Sequence, residues 1–454
     1  MRGVPALTGL QRTERAEREL FQELAIPSVS ALPEHAADVR RNAEWLAALM
    51  DGMGMRTELV SNSGGPHPVV LGEWLGAGPS APTVTIYGHY DVQPPDPLEE
   101  WLSPPFEPSV RDGVVYARGA ADSKGQHLPW LQAARDAIAG GGSRVNLRFL
   151  IEGEEESGGK SLATLLHERS HDLRTGYVVI ADAVFSPNGL PTLVTGLRGL
   201  LYAEIDAQGA AVDLHSGLFG GVAPNPFHTL VHLLASMKDR EGRITIAGFH
   251  DAVEPPSPEE LASWERLGDS DREVERVMGA PLEGDPDHPP LHRRWALPAL
   301  DIHGLPGGFT GSGSKTVIPA HAAAKLSFRL VPNQHPDVVA EQLRAHIQAH
   351  GTPGVRLEIR RLGGAVPVRL GTDHPGVPAL RAAFQEGFGA EPVLAREGFT
   401  IPVTHDFIEA LGAHMLVTGF VPWDAAPHSP NEHLPLDFYR RGIATAAAFL
   451  RALG

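Results

Sequence analysis

Histidine and acidic residues follow the apolar, β-branched segments of this chain, and their side chains suit divalent metal ions. Thr83–Tyr87 is typical of a strand covered on both faces, and Gly88 ends it. His89 and Asp91 then point the same way if the backbone is extended. A neutral imidazole can bind a metal while a nearby carboxylate holds its other nitrogen. Alone, the pair also fits a plain surface turn, so a metal site needs further ligands.

Further candidate ligands lie where other predicted strands end. Val145–Ile151 runs directly into Glu152–Glu156, four acids within five positions. These acids would repel one another unless a cation lay nearby, although a solvated acidic loop is the simpler alternative. Tyr177–Ala183 contains Asp182 near its end. Because ligands of open α/β sheets bind at the carboxyl ends of strands, this convergence predicts a metal site at one sheet edge.

Two more candidates lie in loops. Asp122 comes just before a predicted helix that ends near residue 139, where an acid is usually an N-cap but could also bridge two metals. His428 lies in the proline-containing loop 423–433 of a chain with 22 histidines, so alone it would be taken as merely exposed. Both residues gain meaning only from the other candidates.

Composition narrows the possible partners and metals. The formal net charge of −17 argues against nucleic acid and anionic membranes as partners. The chain has no cysteine, so its metal ligands must be His, Asp and Glu, which suit Zn, Mn or Co. No stretch approaches the roughly 20 apolar residues of a membrane span. The N-terminal segment is charged almost at once and lacks an apolar signal core, so we expect a cytoplasmic protein.

The order of predicted elements indicates two domains, as expected for 454 residues. Parallel-type strands alternate with helices up to about residue 196. An antiparallel strand, helix, strand, helix, strand pattern then occupies 197–364, with a polar, proline-rich stretch at 251–297. We therefore expect an α/β, mixed-sheet, phosphorylase/hydrolase-like catalytic domain formed by 1–196 and 365–454. Residues 197–364 would form an inserted α+β lid, or dimerisation, domain.

Together these segments resemble a known family of di-metal peptidases and deacylases. The family includes carboxypeptidase G, acetylornithine deacetylase and the carnosine dipeptidases, and the carnosinase and cytosolic non-specific dipeptidase branch is most similar. The resemblance covers roughly residues 12–452 and rests on motifs in the family's order: GHYDVQP, ARGAADSKG, EGEEESGG, VIADA, DLHSGLFGG, SFRLVP, REGFTIPV and PHSPNEH. The departures within these motifs, such as Glu154 and Thr400, remove no ligand.

The resemblance implies a role for each matching residue. It implies two divalent ions per subunit, with zinc preferred and manganese or cobalt as alternatives. His89 and Asp182 would bind one ion, Glu156 and His428 the other, and Asp122 would bridge them. Asp91 would orient His89, and Glu155 would be the general base. The peptide bond between Asp122 and Ser123 would be cis. His215 would reach the partner subunit's site and stabilise the oxyanion, and Arg329 would bind a substrate carboxylate. Further substrate contacts would come from His374, Thr400 and Thr316.

The implied activity is hydrolysis of a peptide bond in dipeptides or short peptides by a metal-activated water. The substrate would be a small peptide with a free carboxylate, and the enzyme a homodimer. An N-acyl amino acid deacylase of the same family is the alternative, because peptides and N-acyl amino acids both end in a carboxylate that Arg329 would bind. A catalytically silent binding protein is a third hypothesis. It would have been favoured by loss of Glu155, Asp122 or His428, and all three are present.

Overall fold

A computed structural model describes residues 9–454. The first eight residues, which belong to the predicted catalytic domain and to the segment without a signal core, lie outside the described residues. Among residues 9–454, no helix combines the length and apolar character needed to cross a membrane.

The strands predicted at 83–87, 145–151 and 177–183, and the helix predicted to end near residue 139, are present in the structure. The strands are β1 (Arg56–Val60), β2 (Val69–Trp74), β3 (Thr83–His89), β4 (Ser109–Arg111), β5 (Val114–Tyr116), β6 (Asn146–Glu152), β7 (Tyr177–Ala181), β8 (Thr192–Leu197), β9 (Gly199–Gln208), β10 (Leu214–His215), β11 (Ala299–Gly304), β12 (Val317–Ile318), β13 (His321–Leu330), β14 (Arg356–Ala365), β15 (Val368–Arg369), β16 (Val393–Glu397), β17 (His414–Thr418) and β18 (His433–Pro435). The α-helices are α1 (Gly9–Leu24), α2 (Ala36–Asp51), α3 (Lys124–Ala139), α4 (Ser161–Glu168), α5 (Ser216–Phe219), α6 (Pro226–Met237), α7 (Pro258–Glu265), α8 (Asp271–Met278), α9 (Pro290–Trp295), α10 (Pro336–His350), α11 (Gly376–Phe388), α12 (Val403–Leu411) and α13 (Leu436–Leu453).

A large mixed sheet forms the centre of the catalytic domain. Its strand order is β1-β2-β6-β3-β7-β17-β8-β15, and β16 pairs with β8. The central pairs β3–β6, β3–β7 and β7–β17 are parallel, whereas the edges are antiparallel. Every residue of β6 is buried, because helices cover both faces of a parallel region. The fold is therefore the predicted mixed α/β type.

Two apolar layers enclose this sheet. Helices α1, α2, α3, α11 and α13 pack on one face. Helices α4 and α12 pack on the other, where Tyr87 and Phe407 meet edge to face at 5.7 Å between ring centroids. The side chains of the strands alternate between the two layers, since successive residues of a strand face opposite sides. The sheet is thus fixed firmly enough to position side chains at its edge.

The lid, which we define as the antiparallel sheet β11-β13-β9-β14 with helices α6 and α10, has its own core. Along β9 and β13, apolar residues facing the helices alternate with polar ones on the opposite face. Arg329 lies on that polar face in β13. The predicted order of strand, helix, strand, helix and strand matches β9, α6, β13, α10 and β14, and the structure adds β11, which was not predicted.

One part of the inserted sequence packs on the catalytic domain instead. Helices α7, α8 and α9 lie between lid strands in sequence, yet Trp264 and Trp295 are buried against Val393 and Ala395 of β16. The indole Nε1 of Trp264 donates to Leu394 O at 2.7 Å. The predicted lid boundaries at 197–364 therefore enclose a segment, α7–α9, that contacts the large sheet. The sequence prediction missed this because the helices are short and show no strong preference for either partner.

Candidate metal centre

The carboxyl ends of three adjacent parallel strands place the predicted ligands side by side. In the β3–β6 pair His89 lies opposite Glu152, and Asp182 follows β7 on the other side of β3. A Cβ at Gly88 would lie 2.7 Å from His127 Cβ of α3, so α3 packs closely against the end of β3. This contact brings the turn before α3, with Asp122, to the same edge.

His89, Asp122 and Asp182 form the first ligand group. The Nε2 atom of His89 lies 2.9 Å from Asp122 Oδ1 and 3.7 Å from Asp182 Oδ1. Its Nδ1 atom is 3.0 Å from the backbone oxygen of Asp91 and 3.4 Å from Asp91 Oδ1. The backbone oxygen of Asp91 therefore holds the ring of His89, whereas Asp91 Oδ1 is buried without a hydrogen-bond partner among the described residues, so the orienting role of this carboxylate stays a prediction.

Asp122, Glu156 and His428 form the second group. The Nε2 atom of His428 lies 2.9 Å from Asp122 Oδ2 and 3.3 Å from Glu156 Oε2. Asp122 thus offers one carboxylate oxygen to each histidine. In each group, one ligand atom per residue lies within 4.8 Å of the others. This geometry fits the predicted bridging role of Asp122 between two sites.

The electrostatics of the cluster favour a cation. Burial raises the pKa of the Glu155 carboxyl well above its ordinary range, with Asp182 and Glu156 adding to this effect against His89. Hydrogen bonds with Asp122 and Glu156 raise the pKa of His428 to about 10. Glu156 Oε1 is buried without a hydrogen-bond partner. A set of imidazoles and carboxylates with an unpartnered oxygen fits divalent ions, because each ion would replace the missing positive charge.

A cavity of about 260 Å³ opens beside both groups. Its wall combines acidic, imidazole and apolar side chains, namely Ala121, Asp122, Gln126, Glu155, Asp182, Val184, Phe399, Thr400, Ile401, Pro427 and His428. The hydroxyl of Thr400 donates to Arg198 O at 2.6 Å and accepts from Arg329 Nη1 at 3.2 Å. The lid arginine therefore reaches the wall of the cavity that holds Glu155.

Comparison with known proteins decides the family. The model of peptidase family M20/M25/M40 matches residues 85–452. The chain belongs to this family. It is 32% identical over 458 residues to the Beta-Ala-His dipeptidase of Rattus norvegicus, covering 98% of this chain and 89% of that protein. It is also 32% identical over 460 residues to a Cys-Gly metallodipeptidase of Saccharomyces cerevisiae, covering 95% and 94%.

A solved structure of the same family agrees with this assignment. The M20 family metallo-carboxypeptidase Sso-CP2 from Sulfolobus solfataricus superposes with a TM-score of 0.85 at 31% identity, covering 96% of this chain and 99% of that one. This member of the M20 family is therefore a peptidase-type hydrolase, and its relatives lie in the carnosinase and cytosolic dipeptidase branch. Enzymes of this family use divalent metals, in keeping with the two ligand groups.

The acidic run of this M20 protein divides between structural and cavity-facing side chains. Glu152 accepts from the hydroxyl of Tyr87 at 2.8 Å, and Glu154 accepts from the amides of His67 and Ser161. Glu155 and Glu156, in a single turn of 3₁₀-helix, face the cluster. The four acids were predicted as one group, but only two of them meet the ligands.

The peptide bond between Asp122 and Ser123 is cis, as predicted. Ser123 Oγ lies 3.3 Å from the amide nitrogen and 3.2 Å from the carbonyl oxygen of His89. This contact joins the turn that carries Asp122 to the end of β3.

Two predicted residues, His215 and Thr316, lie together on the lid. His215 pairs with Val317 in the short ladder of β10 and β12, and the amide of Ser216 donates to Thr316 O at 3.2 Å. Both residues are exposed, and His215 Nδ1 accepts from Gly217 N at 3.0 Å. Within the chain they form a surface separate from the ligand contacts described above, so their predicted roles stay predictions.

His374 is not brought to the cavity. Its ring stacks on His414 with centroids 4.5 Å apart and lies 6.2 Å from Tyr177. Tyr177 and His414 begin β7 and β17, whereas Asp182 follows the opposite end of β7. A strand of five residues spans roughly 16 Å, so His374 lies at the far edge of the sheet from the ligands. Its predicted substrate contact finds no support in this placement.

The sequence prediction missed residues that hold the ligands. Gln93 Nε2 donates to Glu156 Oε2 at 2.8 Å, and Ser30 Oγ donates to Asp91 Oδ2 at 2.6 Å. Glu432, which is fully buried, accepts hydrogen bonds from the turn before Asp122. Gln93 lies in GHYDVQP and Glu432 in PHSPNEH, so both had a signal in the motifs, whereas Ser30 had none, because a polar residue in a loop is otherwise indistinguishable from a solvated one.

Proposed function

We propose that this protein is a metal-dependent dipeptidase of the cytoplasm that acts as a homodimer and binds two divalent ions per subunit. His89, Asp122 and Asp182 would hold one ion, and Asp122, Glu156 and His428 the other. The observation that carries the proposal is the shared carboxylate of Asp122, 2.9 Å from each histidine, beside the cavity that Glu155 lines. Zinc is the preferred ion for such O and N ligands, with manganese or cobalt as alternatives.

When bound, the ions would lower the pKa of the attacking water and polarise the scissile carbonyl. The residues of the chain supply the remaining steps. Glu155 would accept the proton of the water and pass it to the leaving nitrogen, which requires a carboxylate that lines the cavity beside the ions. His215 of a second subunit would donate to the oxyanion once lid and catalytic domain close.

Substrate orientation would come from Arg329 and Thr400. The guanidinium of Arg329 is half-buried beside Thr400 at the cavity wall, where a substrate carboxylate could accept two parallel hydrogen bonds. A cavity of about 260 Å³ suits a short peptide rather than a folded chain. Similarity to Beta-Ala-His and Cys-Gly dipeptidases supports the dipeptide class.

The test is hydrolysis by metal-stripped protein reloaded with Zn, Mn or Co. Substrates would be α-dipeptides, a β-alanyl dipeptide, a tripeptide and N-acetyl amino acids, and the Glu155→Gln protein with the same metals would control for contaminating peptidases. We expect metal-dependent cleavage of dipeptides. Cleavage of the acetylated compounds alone would identify a deacylase. Stoichiometric metal binding without hydrolysis of any substrate would support a silent binding protein.

A further inference from the structure

Glu432 lies fully buried between the two loops that carry Asp122 and His428. Its Oε1 atom accepts from the amides of Ala121 at 2.8 Å and Asp122 at 2.9 Å. Its Oε2 atom accepts from the amide of Gly119 at 2.9 Å and from Arg118 Nη1 at 2.7 Å. One carboxylate therefore accepts hydrogen bonds from the guanidinium of Arg118 and from three amides of the turn that ends at Asp122, a predicted metal ligand.

The loop that carries His428 has an unfavourable backbone conformation. Ala426, His428 and Asn431 have φ angles of 56°, 59° and 63°, in the left-handed region that non-glycine residues seldom adopt. The side chain of His428 is 55% exposed, so packing does not fix it. Such a conformation persists only where surrounding contacts impose it.

Three contacts impose this conformation from the C-terminal end of the loop. Besides the Glu432 carboxylate, the backbone oxygen of Glu432 accepts from Ala117 N at 3.1 Å, and the amide of His433 donates to Ala425 O at 3.0 Å. Asn431 additionally bonds to the backbone of Glu100 and Leu102 in the proline-rich loop. Of these groups, only the Glu432 carboxylate contacts the Asp122 backbone directly.

We propose that Glu432 is a positioning residue that sets the separation of Asp122 and His428 before any metal binds. The inference rests on the metal sites of the proposed function. Glu432 belongs to neither ligand group and does not line the cavity; it would act through the two backbones that carry ligands of the same ion. A carboxylate is required, because all four groups that face it are donors and one of them is a cation.

Glu432→Gln is the discriminating variant, since its amide places an NH₂ group against at least one pair of these donors. The affinity for metal would be measured by titrating Zn²⁺ or Co²⁺ into the metal-free full-length protein in the presence of a competing chelator. Loss of an outer partner of a metal ligand typically weakens binding by about 10- to 100-fold, and we expect a loss of this size. The visible absorption spectrum of bound Co²⁺ should also change, because ligand geometry changes.

Glu260→Gln is the matched control. Glu260 is likewise a buried carboxylate that bonds a buried arginine, Arg396, and a backbone amide, Ser257 N, but it contacts no proposed metal ligand. This variant should lose stability while keeping the metal affinity and Co²⁺ spectrum of the wild type. Equal weakening in both variants would make the effect a general loss of stability and overturn the proposal.

The outcomes separate this inference from the proposed function. A wild-type protein that binds no divalent metal would refute the metal sites themselves. Wild-type affinity and an unchanged Co²⁺ spectrum in Glu432→Gln would overturn only the positioning role. If that variant does not fold, hydrogen exchange of the metal-free wild type decides. Protected amides at Gly119, Ala121 and Asp122 would support preorganisation by Glu432, and fast exchange would exclude it.

Discussion

The carboxylates of Glu154 and Glu155, which are adjacent in sequence, point to opposite sides of one loop. Glu154 is only 1% exposed, and its Oε1 atom accepts a hydrogen bond from His67 N at 2.8 Å. Glu155 instead lines the cavity beside the candidate metal ligands. A single turn of 3₁₀-helix that begins at Glu155 produces this separation. One acid thus stabilises the loop, and its neighbour faces the cavity, where the proposed function requires a base.

Glu155→Gln should abolish turnover and keep the metal. The amide retains the shape of the side chain but cannot accept a proton, and removal of a general base typically costs roughly 10²- to 10⁴-fold in rate. The measurements are kcat for a dipeptide and metal content per subunit. Glu154→Gln is the matched control. Its thermal midpoint should fall, whereas its kcat should change far less than that of Glu155→Gln. Retained turnover in Glu155→Gln would remove this residue from the base role.

Arg329→Met should raise KM for dipeptides with a free carboxylate by roughly 10- to 100-fold, since a hydrogen bond to a charged group is worth about 1.5–3 kcal/mol. The measurement compares a dipeptide with its C-terminal amide, for which the variant should differ little from the wild type. Arg360→Met, at an exposed arginine of the same lid sheet, is the control and should leave KM unchanged. An equal rise in KM for acid and amide would exclude carboxylate recognition by Arg329.

Mixing two inactive variants tests whether His215 acts across subunits. Glu155→Gln and His215→Ala homodimers should each have little activity. In a mixed dimer, the site that keeps Glu155 would receive the intact His215 of the other subunit. Random exchange makes half of the dimers mixed, with one competent site each, so about a quarter of wild-type activity should return. Activity that stays at the level of the separate variants would show that His215 does not act in trans.

Stability at acid pH should depend on the buried pair of Glu260 and Arg396. Burial acts to raise the pKa of Glu260, but hydrogen bonds from Arg396 and Ser257 N prevail and lower it to about 2. Because the folded-state value lies below the ordinary value of 4.5, the stabilisation is full above about pH 4.5 and disappears as the pH falls towards 2. Above that window, Glu260→Gln should cost roughly 3–5 kcal/mol.

Denaturant unfolding of chelated protein between pH 2.5 and 7, about the range of the titration, measures this effect without a contribution from metal release. The difference in free energy of unfolding between wild type and variant should shrink as the pH falls through the window. A difference that is constant with pH would mean that Glu260 acts by shape rather than by charge. Glu283→Gln, at an exposed acid of the same inserted sequence, is the control and should leave the free energy of unfolding nearly unchanged.

Local patterns predicted the strand ends of this site well. The buried runs of β3, β6 and β7 are short and apolar, and their end residues were readable as ligands because parallel strands share one edge. Glu432 lies in the motif PHSPNEH, but its role was not predictable in this way, since its partners are Arg118 and backbone amides distant in sequence. The same holds for His374, whose match to a family position gave no information on which edge of the sheet it occupies. Long-range placement of this kind is decided by tertiary packing.

The α7–α9 segment changes what can be exchanged between members of this family. Its sequence interrupts the lid, but Trp264 and Trp295 cover Val393 and Ala395 of the catalytic sheet. A chimera that replaced residues 197–364 as one block would strip this cover and leave the buried Arg396 without its carboxylate partner, Glu260. A viable lid transplant would instead take two separate pieces on either side of the segment. The lid is therefore discontinuous in the gene, although it is continuous in space.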